Sequence, residues 1–314
     1  MKLSILGAGA VGSAVAESAS AYGHDVVALA DSTGAVVDDS GIDVDAALSR
    51  AASGSVGDAD HEAALAAAYD VLVEATPTTL GDAEPGFSHV RTALERDRHV
   101  VLANKGPVAE RYADLKALER DSEGTVRFEA TVGGAMPVIS TIEDHGPERI
   151  DAARGVLNGT ANFVLSRMAA ERLDYEHVLT EAQQLGVAET DPSFDVDGTD
   201  AALKCVILAN LLSDGGETWS LDDADVEGIR NVSGSALELA AEDGLTVRLI
   251  GEVAGDSVRV APRLVDEGSS LTVSGTTNVL QIETTRAGSI TISGRGAGGP
   301  ETASAVLRDV DRLE

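Results

Sequence analysis

The 314 residues include a single cysteine, Cys205, so an intrachain disulfide framework is excluded, and the scarcity of thiols suits a reducing cytoplasm. Cys205 follows Lys204 on an apolar stretch, where packing explains it better than a nucleophile would. Lysine is also scarce: of 23 basic residues only Lys2, Lys105, Lys116 and Lys204 are lysines. Aromatic residues make up 3% of the chain. No hydrophobic run is long enough to span a bilayer, and the opening residues 1–7 read as a strand and not a signal peptide, so no membrane association is expected.

Acid is abundant. The net charge is −30, and the Asp and Glu residues are spread along the chain with no polyacidic tail. Such a surface, poor in lysine, looks like that of proteins from salt-accumulating halophiles, where concentrated salt screens the repulsion. The same charge argues against a nucleic-acid partner.

A short apolar strand over 3–6 leads into Gly7-Ala8-Gly9-Ala10-Val11-Gly12 and then a helical segment over 13–22. G-x-G-x-x-G in that setting predicts a dinucleotide site. The glycines allow a tight turn and close approach to a pyrophosphate, and the helix N-terminus faces the phosphates. Gly7, Gly9, Ala10, Val11 and Gly12 are the first cofactor contacts. A second strand over 25–30 ends at Asp31, placed to bond an adenosine ribose diol and so to favour NAD; a turn role beside Ser32-Thr33-Gly34 is the alternative. Arg50 is a candidate for a 2′-phosphate, so NAD and NADP both stay open.

Strands over 71–74, 99–103 and 126–129 alternate with helices over 87–95 and 110–120, the rhythm of a Rossmann-type, doubly wound parallel sheet in an α/β fold. The loops at the strand carboxyl ends should face the cofactor, which brings in Thr76, Asn104 and Lys105. Lys105 is either a surface loop lysine or a group beside the nicotinamide. After residue 130 the rhythm changes: a strand over 153–157, helices over 161–171 and 175–185, and strands over 245–253, 258–265, 279–283 and 289–293. These predict a separate α+β domain for catalysis and dimerisation. A second glycine loop, 294–299, precedes a helix over 301–313, so Gly298 could approach the cofactor and return the chain to its first domain. The expected division is 1–130 plus 295–314 against 131–294.

Residues 189–204 carry the densest chemistry. An acidic, proline-containing loop runs into the apolar segment 205–212, a buried helix expected to begin near Gly198 with Asp197 as its cap. Asp200 and Lys204 fall four apart on one face of it. They are either an exposed ion pair or a pocketed proton-transfer lysine, with Asp200 and Glu189 receiving a cationic substrate. The six histidines are scattered without metal-ligand spacing.

Several of these segments together resemble homoserine dehydrogenases. The carrying motifs are the glycine loop at 7–12, Ala103-Asn104-Lys105-Gly106-Pro107, Glu129-Ala130-Thr131-Val132-Gly133-Gly134, and Asn158-Gly159-Thr160. To these are added Asp191-Pro192 through Asp200 and Lys204, and Gly296-Ala297-Gly298-Gly299. The resemblance covers nearly the whole chain. It implies NAD(P)-dependent, reversible oxidation of L-homoserine to L-aspartate 4-semialdehyde in threonine, methionine and isoleucine biosynthesis. By motif position it makes Lys204 and Lys105 catalytic, and Glu189, Asp200, Asp195 and Thr160 substrate-binding. A monovalent cation, Na⁺ or K⁺, would use Glu129 and the carbonyls of Val132, Gly134 and Met136. It further implies a cytoplasmic homodimer acting on a small molecule.

Many members of the family carry a C-terminal ACT domain. This chain stops at Glu314, after its final helix, so the short form, of the kind found in archaea, is expected. The competing readings are a different amino-acid dehydrogenase, or a non-catalytic dinucleotide sensor, which would bind NAD(P) tightly without turnover.

Overall fold

Near-continuous apolar runs become strands buried on both faces, as expected where helices cover a parallel sheet. The computed structural model describes residues 1–213 and 218–313. They fall into two compact units, Met1–Ala135 with Ala297–Glu314, and Met136–Gly296. Glu314, the last residue assigned to the first domain from sequence, lies outside the described residues.

The first unit runs β1 (Lys2–Leu6), α1 (Ala10–Ala19), β2 (Asp25–Asp31), β3 (Gly34–Val37), α2 (Val44–Ala52), α3 (His61–Ala66) and β4 (Val71–Glu74). It continues with α4 (Gly86–Leu94), β5 (His99–Leu102), α5 (Gly106–Glu110), α6 (Tyr112–Arg120) and β6 (Val126–Arg127). The strand order β3-β2-β1-β4-β5-β6 reverses direction at β1, so the carboxyl ends of β1 and β4 flank the topological switch point. The doubly wound sheet is therefore present, with one addition. β3 pairs antiparallel with β2, Asp31 opposite Gly34, where the sequence reading had only a turn. Four residues are too few to show a strand period. Helices α2 and α3 were also unforeseen, although Asp43 and Asp60 cap them by accepting from Ala46 N and Ala63 N.

The second unit contains α7 (Val138–His145), β7 (Ile150–Val156), α8 (Gly159–Glu171), α9 (Tyr175–Gln184), α10 (Ser193–Val196), α11 (Thr199–Leu212) and β8 (Asp225–Val226). After α12 (Gly234–Glu242) come β9 (Leu245–Ala254), β10 (Ser257–Asp266), β11 (Thr277–Thr284) and β12 (Gly288–Arg295). Its sheet, ordered β12-β11-β7-β9-β10-β8, is antiparallel except for the β10–β8 pair. Helix α11 is apolar all round, and every residue from Asp200 to Asn210 is buried. It lies close to the sheet because Gly251 on β9 has no side chain: a Cβ there would sit 2.5 Å from Cys205 Sγ.

The last helix, α13 (Gly299–Asp311), belongs to the first unit and packs on α1. Among the described residues no helix is long and apolar enough to cross a membrane.

Candidate active site

In the first unit the glycine loop separates two kinds of demand. Gly7 has φ +103, and a Cβ on it would meet the Ala75 carbonyl oxygen at 2.4 Å; one on Gly12 would meet Gly7 O at 1.7 Å. Both glycines are required by the protein's own backbone. Gly9 is different, because a Cβ there would meet nothing within 4 Å. The opening residue of α1 is Ala10, three positions earlier than the sequence suggested, and no side chain caps the helix. The amides of Ala10, Val11 and Gly12, in the first turn, therefore lack intrahelical acceptors, and the space beside Gly9 is open, an arrangement that fits a pyrophosphate. On the other side of this loop, Gly298 caps α13 with φ +128, and a Cβ on Gly299 would lie 2.7 Å from Ala10 O.

Asp31 ends β2, where its Oδ1 accepts from Thr33 N at 2.7 Å and Thr33 Oγ1 at 2.5 Å. The carboxylate thus holds its own turn, with Oδ2 outside that pair of bonds. Arg50 pairs with Asp58 at 2.8 Å on the surface. The carboxyl ends of β4 and β5 are tied together. Asn104 Nδ2 donates to Thr76 Oγ1 at 3.1 Å and to Glu74 Oε1 at 3.3 Å, and its Oδ1 accepts from Gly106 N at 2.9 Å. Lys105 is the N-cap residue of α5, and its backbone N donates to Thr78 Oγ1 at 3.3 Å. The helix expected over 110–120 is α6, and the short α5 before it is an addition, because Gly106-Pro107 starts a helical turn directly after Lys105.

In the second unit Lys204 and Asp200 form a buried pair, 5% and 7% exposed, and not the surface pair of the blander alternative. Lys204 Nζ donates to Asp200 Oδ2 at 2.7 Å and to the Leu157 carbonyl at 2.7 Å. Two of its three hydrogens are thereby used. The same carbonyl accepts from Asn278 Nδ2 at 3.0 Å. Asn158 completes the cluster: its Oδ1 caps α8 through Ala161 N at 2.8 Å, while its Nδ2 donates to Asp195 Oδ1 at 2.6 Å and Asp200 Oδ2 at 2.9 Å. The sequence showed Asn158 only as a cap. Its second use depends on Asp195 and Asp200 lying nearby in space, about which local sequence is silent.

Thr160 Oγ1 donates to Val187 O at 3.2 Å, and Gln183 Nε2 donates to the carbonyls of Glu189 and Thr190 at 3.1 and 3.2 Å. Together they fix the backbone that presents the exposed carboxylate of Glu189. Asp197 does not cap α11 as anticipated. It closes α10 and pairs with Arg230, and Gly198, at φ +90, is the N-cap residue instead. Burial pushes the Cys205 thiol up to about 12, so its thiolate is suppressed and it is a packing residue.

Glu129 and Asp309 are buried side by side in the first unit. Asp309 Oδ2 accepts from Glu129 N at 2.8 Å, and Arg312 Nη1 lies 4.0 Å from Glu129 Oε2. Burial drives the Asp309 carboxyl up to about 7, against the pull of that amide. Among the described residues no cluster of three or more His, Cys, Asp or Glu side chains is placed to hold a metal ion.

A family model described as Homoserine dehydrogenase matches residues 137–310. A second, Glutamate/Leucine/Phenylalanine/Valine dehydrogenase, matches residues 1–76, the glycine-loop segment. A homoserine dehydrogenase of Methanocaldococcus jannaschii is 37% identical, with 99% of this chain and 97% of that protein covered. The crystal structure of a putative homoserine dehydrogenase from Archaeoglobus fulgidus superposes with a TM-score of 0.92 at 40% identity, covering 100% of this chain and 99% of that one. A hyperthermophilic archaeal homoserine dehydrogenase in complex with NADPH gives 0.86 at 27% identity, covering 99% and 96%.

Proposed function

The chain belongs to the homoserine dehydrogenase family, NAD(P)-dependent oxidoreductases interconverting L-homoserine and L-aspartate 4-semialdehyde, and we propose that Lys204 is its proton-transfer residue. The observation that carries this assignment is a buried lysine held at two of its three hydrogens by Asp200 and the Leu157 carbonyl. The nicotinamide, when bound, exchanges hydride with C4 of the substrate. In aldehyde reduction Lys204 Nζ gives a proton to the oxygen on C4, and in alcohol oxidation it takes that proton back. Asp200 accepts from Nζ and orients the side chain. Lys105, on the N-cap of α5, is assigned as the second catalytic lysine at the reacting oxygen.

Glu189 receives the substrate ammonium, supported by Asp195 and Asp200, with Thr160 on the substrate side. The first unit binds NAD(P) through Gly7, Gly9, Ala10, Val11, Gly12, Thr76, Asn104 and Gly298. Asp31 is assigned to the ribose diol and so to a preference for NAD, since a 2′-phosphate would meet its charge. Bound NADPH in the archaeal relative is the counterweight, and the cofactor ratio decides between them.

For a monovalent cation the donors are the Glu129 carboxylate and the carbonyls of Val132, Gly134 and Met136, an all-oxygen set suited to a hard ion. Replacing Na⁺ and K⁺ by choline at equal ionic strength tests it; unchanged rates would remove the cation. A homodimer built on the second unit suits the exposed Leu239 and Leu264, and sedimentation at several protein concentrations tests it. The single buried cysteine suits a cytoplasmic setting.

The deciding experiment is initial rates with L-homoserine, using NAD and NADP separately, in molar potassium chloride and in dilute buffer. Turnover with homoserine, rising with salt, is expected from the assignment and from the charge of −30. Cofactor binding without turnover at any salt would sink the catalytic assignment in favour of a sensor.

A further inference from the structure

A carboxylate that the mechanism does not use lies at the carboxyl end of β4. Glu74 is 0% exposed. An ionised group so placed is costly unless every oxygen is well bonded, and here both are. Its Oε1 accepts from Thr76 N at 3.1 Å, from the Thr76 hydroxyl, and from Asn104 Nδ2 at 3.3 Å. The other oxygen, Oε2, lies 2.7 Å from His89 Nδ1 on α4. Because a carboxylate only accepts, His89 Nδ1 carries the hydrogen. His89 Nε2 is in turn 2.9 Å from His61 Nε2, at the start of α3, and one hydrogen is shared between those two nitrogens. The assembly joins β4, α4 and α3, yet its residues lie 13 and 15 positions from Glu74 in sequence, out of reach of any local motif.

The consequence falls on the loops assigned to the cofactor. Asn104, held by Glu74, bonds Gly106 N, and Thr78 receives the Lys105 amide. Space around Asn104 is tight: a Cβ on Gly86, the first residue of α4, would lie 2.5 Å from Asn104 Nδ2. Both the 76–79 loop and the turn that carries Lys105 are thus pinned to one buried carboxylate.

We propose that Glu74, braced by His89 and His61, is a positioning residue that sets Thr76, Asn104 and Lys105 for cofactor binding and hydride transfer. This inference rests on the functional reading above for its kinetic readout, but its binding readout does not. A loop set a fraction of an ångström away from its working position loses rate steeply.

The test uses the full chain with three substitutions: Glu74→Ala, Glu74→Gln and His89→Phe. Glu74→Ala removes the acceptor for four donors, Thr76 N, the Thr76 hydroxyl, Asn104 Nδ2 and His89 Nδ1. Glu74→Gln keeps an oxygen toward Thr76 and Asn104 and turns an amide toward His89, whose neutral ring can shift its hydrogen to accept. His89→Phe keeps ring volume beside His61 but leaves Oε2 without its partner, and serves if Glu74→Ala does not fold. Cofactor dissociation constants come from the fluorescence of reduced nicotinamide, independent of any substrate. In Glu74→Ala or His89→Phe the cofactor constant should rise and kcat fall by about 10-fold or more, with KM for L-homoserine within about twofold of wild type. Glu74→Gln should recover most of the loss. Folded Ala and Phe variants that melt earlier but keep wild-type cofactor constants and kcat would show a merely structural bond and overturn the proposal. If wild type itself fails to oxidise homoserine, the substrate reading fails, while the cofactor constants still decide the role of Glu74.

Discussion

Lys204 Nζ on α11 donates to the carbonyl oxygen of Leu157, just past the end of β7, at 2.7 Å and across 47 residues of sequence. That bond makes the end of a strand part of the lysine's socket. It also points to what removing the amine would cost. Replacing Lys204 by methionine keeps the length and apolar stem, so helix packing survives, but deprives Asp200 of its cation. We expect kcat to fall by about 10²–10⁴-fold, the worth of a positioned acid–base group. Cofactor affinity, measured by fluorescence titration, should stay at the wild-type value. Wild-type turnover in Lys204→Met would remove this residue from proton transfer.

Asn158 is expected to show two separable losses when changed to alanine. One is the α8 cap, worth about 1 kcal/mol in a urea melt. The other is the amide shared by Asp195 and Asp200, whose loss lets the two carboxylates move and should raise KM for L-homoserine. Asn158→Asp keeps the cap but sets a third carboxylate against the other two, so its KM should be no better than that of the alanine variant. A wild-type KM in both would leave Asn158 as a cap alone.

For Asp31 the prediction concerns the ratio of the two cofactors. Asp31→Ala removes the carboxylate proposed for the adenosine ribose, and kcat/KM for NAD divided by that for NADP should fall by about 10-fold, one hydrogen-bonded charge. Because Asp31 also holds Thr33, a small drop in melting temperature should accompany it. Equal kcat/KM ratios before and after would leave Asp31 as a turn residue only.

Cys205 gives a pH prediction. Burial raises its folded-state pKa from the ordinary 9.0 to about 12. The neutral thiol is therefore favoured by folding, its stabilising contribution is complete below about pH 9, and it is lost as pH rises toward 12. A Cys205→Ala variant should lose stability less steeply over that window in denaturant titrations. Native protein should also resist thiol reagents at pH 8 and react once unfolded. Rapid labelling of the native chain would contradict the burial.

Much of the first unit was legible because its signals are local. The glycine loop sits between a strand and a helix, and the Gly12 requirement is set within the loop by Gly7 O, although Gly7 itself is pressed by the distant Ala75 carbonyl. Local too are the signals of the strands over 71–74 and 99–102, whose apolar runs are buried on both faces. Short elements escaped notice: β3, with four residues, and α3, with six, are fixed by what they pack against. Asp197 misled for a related reason. As a cap for α11 it fitted the pattern, but Arg230, 33 residues away, takes its carboxylate.

The sequence by itself determined which groups are available: four lysines, one cysteine, a glycine loop in the setting that makes it meaningful, and the Asp200…Lys204 spacing that one helical turn brings together. Spacing on a helix follows from backbone geometry, so it can be read without a fold. Only the tertiary structure decided that the Asp200–Lys204 pair is buried, and that Asn158 and the Leu157 carbonyl complete it. It alone joined Glu74 to His89 and His61. Burial and long-range hydrogen bonds depend on how elements pack, and a buried charge is stable only where partners from distant segments converge on it.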